Sequence, residues 1–104
     1  MKQLIEKKKK LANDWFKFLQ SKIIDEFQLL ENEINKKNKT KAKYFIKKEW
    51  KKDNKKEGGG SSYLLSGGKI FDKVGVNQST VSGQFEKTFR SKILGAKKNG
   101  KYWA

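Results

Sequence analysis

The sequence contains no cysteine, no histidine and no proline. Without cysteine there is no disulfide framework, no thiol nucleophile and no thiolate metal site, which suits a cytoplasmic protein. Without histidine no Ser–His pair can be assembled within the chain. Metal binding would then rest on carboxylates alone, and the 11 acidic residues are scattered through a background of 26 basic ones. No metal is expected. Apolar runs are short, and none approaches the roughly 20 residues that cross a bilayer. The N-terminus is charged and leads into no apolar stretch of signal-peptide length. Glu6, Asp14, Asp25 and Glu26 are out of place in a transit peptide, which is poor in acids.

Arginine is nearly absent as well. Arg90 is the only one, so 25 of the 26 basic residues are lysine, and the net charge is +15. Such a balance usually points to nucleic acid. Planar, bidentate recognition of phosphates and bases, however, is the work of arginine. The lysine excess travels with many Asn and Ile residues, as expected of an AT-rich coding sequence. No specific nucleic-acid partner is therefore expected. A small lysine-rich nucleic-acid-binding protein stands as the alternative, and its affinity would fall steeply with salt.

What is present is enough for one small domain. The chain has 104 residues, 35% of them hydrophobic, with 3 Trp, 3 Tyr and 7 Phe to bury large areas each. Residues 3–36 read as one helix. Leu11, Trp15, Leu19, Ile23, Phe27, Leu30 and Ile34 recur every three or four positions, and Leu4 and Phe18 widen the stripe. This face is expected to pack on a core. A membrane-surface helix is the sharper alternative, opposed by the acids between residues 25 and 33. Residues 37–43 form a polar connector. Residues 44–50 read as a strand, with a helical turn as the other possibility, and residues 51–56 as a charged loop.

Gly58, Gly59 and Gly60 then form a glycine loop. Residues 61–66 suggest a strand, Gly67-Gly68 a two-residue hairpin turn, and residues 69–84 a second strand. Gly75 inside that strand suggests a bulge or a close backbone contact. Residues 85–94 suggest a short helix ended by Gly95. The resulting class is α+β, a long N-terminal helix followed by antiparallel strands, within one partial domain spanning 1–104.

The glycines do not make a phosphate loop. A Walker A motif needs Ser or Thr after Gly-Lys, and Gly68-Lys69 is followed by Ile70. The dinucleotide fingerprint begins at Gly58 and Gly60 but meets Tyr63 where its last glycine belongs. Asn77-Gln78-Ser79 matches the N-glycosylation triplet, without a secretory context to give it meaning. On chemistry alone the chain is a basic α+β domain with no visible active site.

One block is far more specific. Ile70-Phe71-Asp72-Lys73-Val74-Gly75-Val76-Asn77-Gln78-Ser79-Thr80-Val81-Ser82-Gly83 closely resembles a run of the oxygen-dependent coproporphyrinogen III oxidases. Their pattern is Val-Phe-Glu-Lys-(Ala/Val)-Gly-Val-Asn-x-Ser-x-Val-x-Gly, and Asp72 stands where they carry Glu. Upstream, Phe45 and Trp50 resemble the aromatic pair before the glycines. Downstream, Phe89-Arg90, Ile93, Gly95-Ala96 and Tyr102-Trp103-Ala104 resemble alphaproteobacterial members in particular.

The resemblance covers residues 44–104 and implies the N-terminal part of such an enzyme. The implied fold is a large antiparallel sheet flanked by helices, in a homodimer. The implied reaction oxidatively decarboxylates two propionates of coproporphyrinogen III, giving protoporphyrinogen IX in haem biosynthesis. O2 is the co-substrate and no organic cofactor takes part. The family's catalytic residues lie beyond residue 104, so no catalytic residue is expected here and the chain alone is expected to be inactive. The resemblance assigns Phe71, Asp72, Lys73, Val74, Gly75, Val76, Asn77, Gln78, Ser79 and Thr80 to dimerisation. It places Gly58, Gly59 and Gly60 near the porphyrinogen substrate. A non-functional remnant of a split gene would share this fold.

Overall fold

The computed structural model describes residues 2–52, 58–90, 92 and 100–104. A long helix, α1 (Lys2–Asn38), precedes four strands: β1 (Ile46–Lys51), β2 (Gly58–Ser66), β3 (Lys73–Gln84) and β4 (Lys101–Trp103). A single helical turn, α2 (Lys87–Arg90), lies between the last two strands. The strands form one antiparallel sheet in the order β1-β2-β3-β4. The chain is thus α+β, with the element order expected from the sequence as far as α2; β4 in the C-terminal tail was not expected. Its contacts divide it into two compact units. One comprises Met1–Lys48 and Ser61–Gln78, the other Glu49–Gly60 and Ser79–Ala104.

In the first unit α1 runs two residues past its expected end. Its last turn carries Lys36 and Lys37, whose charges suit the negative end of the helix dipole. Termination is by backbone geometry. Lys39 adopts a left-handed φ of 56°. Its N–H donates to the Lys36 carbonyl at 3.3 Å, and the Thr40 N–H reaches the Asn35 carbonyl at 2.9 Å. Glycine or asparagine usually holds that left-handed position. A lysine there leaves no mark in the sequence.

The face of α1 that meets the sheet differs from the expected one. Leu11, Trp15, Leu19 and Leu30 of the apolar stripe are exposed, and so are Leu4 and Phe18. Ile23, Phe27 and Ile34 are only half-buried. The buried residues of the helix are Gln20, Glu31 and Asn35. Period 3.6 was read correctly, but the rotation of the helix was not, because the side chains gripping the sheet are amides and a carboxylate. Among the described residues Leu65 of β2 is the one apolar side chain fully closed to solvent.

Two further expectations change. The glycine run is not a loop, since Gly58, Gly59 and Gly60 open β2. Gly58 has a φ of 148°, and a Cβ there would stand 2.6 Å from the Thr80 carbonyl oxygen, so only glycine permits that approach. The β2–β3 connection is longer than a two-residue turn and spans residues 67–72. Gly67 is left-handed (φ 69°). It donates to the Asp72 carbonyl, as Gly68 does to the Phe71 carbonyl, at 2.8 and 2.9 Å. A Cβ on Gly75 would find nothing closer than 3.9 Å, so no tight contact explains that glycine.

In the second unit β4 pairs antiparallel with β3, Gly83 facing Tyr102. Val81 and Ala104 exchange two backbone hydrogen bonds of 2.8 Å. Phe85 stacks on Tyr102 with centroids 4.7 Å apart. Of the helix expected over residues 85–94, α2 supplies four residues. Ile93, Leu94 and Gly95 lie outside the described residues, as do residues 53–56 of the expected charged loop.

Candidate functional site

The first unit presents two features, a polar clasp under α1 and an uncovered sheet face. The clasp begins at Gln20. Its Nε2 donates to the carbonyls of Ser61 in β2 and Val76 in β3, each at 3.0 Å. Ser61 Oγ donates back to Gln20 Oε1 at 3.1 Å. One amide therefore ties the helix to two neighbouring strands. Two turns further on, Gln28 donates to the Lys43 carbonyl at 2.8 Å and accepts from the Phe45 N–H at 3.2 Å. This holds the connector in front of β1.

Glu31 closes the clasp. Its side chain has no exposed surface. Oε1 accepts from the backbone N–H groups of Ile70 at 2.6 Å and Phe71 at 2.9 Å. Oε2 accepts from Asn35 Nδ2 at 2.7 Å. Asn35 Oδ1 in turn accepts from Thr40 Oγ1 at 2.7 Å. Burial pushes the Glu31 carboxyl up. The donors from Phe71, Lys69, Ile70 and Asn35 outweigh it and leave the carboxyl below its ordinary value. Gly68 is part of the same device, because a Cβ there would collide with Glu31 Oε1. Phe27 packs on Phe71 beside it, centroids 4.9 Å apart.

The sequence reading missed Gln20, Gln28, Glu31 and Asn35, since polar residues on a helix read as solvent-facing. A signal was nevertheless there. Asn13, Gln20, Gln28, Glu31 and Asn35 share one helical face.

The uncovered face belongs to the residues that the resemblance marks. Along β3, Val74 and Val76 are half-buried and Gln78 is buried, its Nε2 donating to Asn13 Oδ1 of α1 at 3.2 Å. Lys73, Gly75, Asn77 and Ser79 alternate with them and are exposed. Thr80 is half-buried, Asp72 exposed, and Phe71 lies in the loop against Phe27. The dimerisation set is therefore split between the two faces of the strand. A shallow cavity of about 530 Å³ lies over the open face, lined by Tyr44, Ile46, Lys48, Ser62, Leu64, Gly75 and Asn77 among others. It is apolar along Ile46 and Leu64, with lysines at its edge. Gly58, Gly59 and Gly60 are not among its lining residues. Among the described residues no three acidic side chains gather as metal ligands, and no helix is long and apolar enough to cross a membrane.

The profile of the family described as coproporphyrinogen III oxidase matches residues 11–104. The chain belongs to that family. The oxygen-dependent coproporphyrinogen-III oxidase of Rickettsia bellii is 38% identical over 99 residues, which cover 95% of this chain and 34% of that protein. Those of Rickettsia felis and Rickettsia prowazekii are each 38% identical, over 96 and 97 residues, covering 92% of this chain and 33% of theirs. The chain thus spans about a third of the length of these relatives. No solved structure matches it.

Proposed function

We propose that this chain is the N-terminal third of an oxygen-dependent coproporphyrinogen III oxidase. The reaction is the oxidative decarboxylation of two propionates of coproporphyrinogen III to vinyl groups, yielding protoporphyrinogen IX, with O2 as co-substrate and no organic cofactor. It takes place in the cytoplasm, in a homodimer that uses the open side of β3. In this reading the four strands are one edge of the family's large antiparallel sheet, with Gly58, Gly59 and Gly60 close to the substrate. The chain's own residues do no chemistry. They position a sheet, and the polar clasp from Gln20 to Asn35 fixes that sheet against α1. The observation that carries the reading is the family match across residues 11–104.

The test is reconstitution. Purified chain is incubated aerobically with coproporphyrinogen III, alone and with a polypeptide covering the remaining two thirds of a close relative, and porphyrin products are followed by fluorescence. Turnover is expected only in the mixture. Turnover by the chain alone would overturn the assignment of catalysis to the other part. A mixture that forms a complex yet stays inactive would overturn the functional reading itself.

A further inference from the structure

The apolar residues that α1 does not use against the sheet are collected on its far side. At 100° per residue, Leu4, Leu11, Trp15, Phe18 and Leu29 fall within about 60° of one another. They lie roughly opposite Asn13, Gln20 and Glu31, which meet the sheet. Each of the five is more than half exposed, from 51% at Leu29 to 70% at Leu11. Trp15 and Phe18 stack with ring centroids 5.8 Å apart, and Lys22 Nζ lies 5.5 Å over the Phe18 ring. An apolar strip of this length marks an interaction surface.

Charge says what fits it. At the N-terminal half the strip is flanked by Lys7 on one side and Lys8 on the other. At the C-terminal half, the same two flanks carry Asp25 and Glu26. We infer that the strip is the seam of an antiparallel pair of α1 helices from two copies of this chain. A two-fold axis crossing the helix midway between residues 16 and 17 sets Leu4 opposite Leu29, Trp15 opposite Phe18, and Leu11 opposite the stem of Lys22. The same axis sets Lys7 near Asp25 and Lys8 near Glu26, each flank meeting its own equivalent as antiparallel two-fold symmetry requires. All of these matches follow from one choice of axis. A parallel pair would bring Lys7 and Lys8 against themselves, and a partner of uniform charge would suit only half of the strip. The pairing also relieves at the contact the repulsion that a net charge of +15 imposes on two copies. This surface is distinct from β3 and does not depend on the enzymatic reading.

The test is the oligomeric state, by sedimentation at tens of micromolar, of the full chain carrying Asn77→Lys, which blocks pairing through β3. A dimer is expected. Leu11→Glu and Trp15→Glu should each give a monomer with unchanged helix content, since neither side chain touches the sheet. Lys7→Glu with Lys8→Glu should weaken the dimer about tenfold, and adding Asp25→Lys with Glu26→Lys should restore it. The chain has no cysteine of its own, so the register can be read directly. Leu4→Cys mixed with Leu29→Cys should cross-link to each other in preference to themselves. A chain that stays monomeric, a dimer that survives Leu11→Glu, or preferential 4-to-4 cross-links would each overturn the proposal. So would a dimer split by Asn77→Lys on β3 and untouched by the α1 variants.

Discussion

Glu31 is a charged group closed off from solvent in a domain with little core, and the partners of its carboxylate are the loop N–H groups of Ile70 and Phe71 and the side-chain amide of Asn35. Replacing it with alanine leaves the N–H groups of Ile70 and Phe71 without their acceptor. An unsatisfied buried donor costs about 1–3 kcal/mol, so Glu31→Ala should destabilise the chain by roughly 2–3 kcal/mol. The sign of the pH effect follows from the lowered carboxyl. Its stabilisation is complete above the ordinary value of 4.5 and is lost as pH falls below that value through the folded one. Denaturant midpoints taken between pH 7 and pH 3 should therefore fall at the acid end. In Glu31→Gln, less stable throughout, this contribution to the slope should vanish. An acid limb equally steep in Glu31→Gln would place the responsible group elsewhere.

At the scale of elements, the sequence made α1 and the first three strands legible but not β4 or the orientation of the helix. Hydrophobic periodicity locates a face, and Leu11, Trp15 and Leu19 do share one. It cannot say whether that face meets this chain's own sheet or something else. Here the sheet is gripped by Gln20 and Glu31, whose backbone partners on β2, β3 and the 67–72 loop are more than 35 residues away. Strand boundaries were legible where apolar and polar residues alternate, as from Lys73 to Gln78, and misread where glycines extend β2. The difference can be measured. Leu65→Ala should cost about 2–4 kcal/mol, as for a filled core site, while Leu11→Ala should change stability by less than about 0.5 kcal/mol. The sequence stripe alone would have ranked Leu11 as core, and a large effect there would mean that the helix packs on its apolar face after all.

For the whole molecule, family membership was the most legible property, because the block from Ile70 to Gly83 is specific in both residue type and spacing. The polar clasp was the least legible, because no single residue of it is unusual. A chain with one fully buried apolar side chain among its described residues and a sheet of four strands has little apolar surface to expose on unfolding. Its thermal transition should be broad and its denaturant dependence shallow for 104 residues. Helical signal should outlast the tertiary signal of Trp50 and Trp103. A single sharp transition with coincident probes would show far more cooperativity than this core supports.

The grip of Glu31 on residues 69–71 also bears on time. Backbone amides in a connecting segment ordinarily trade their hydrogens with water quickly, while those of a packed strand wait for an opening event. Ile70 and Phe71 lie between strands, yet their amide hydrogens are held by a side chain from a different element. They can exchange only when α1 lifts away, so the hairpin tip keeps the slow clock of the helix rather than that of a loop.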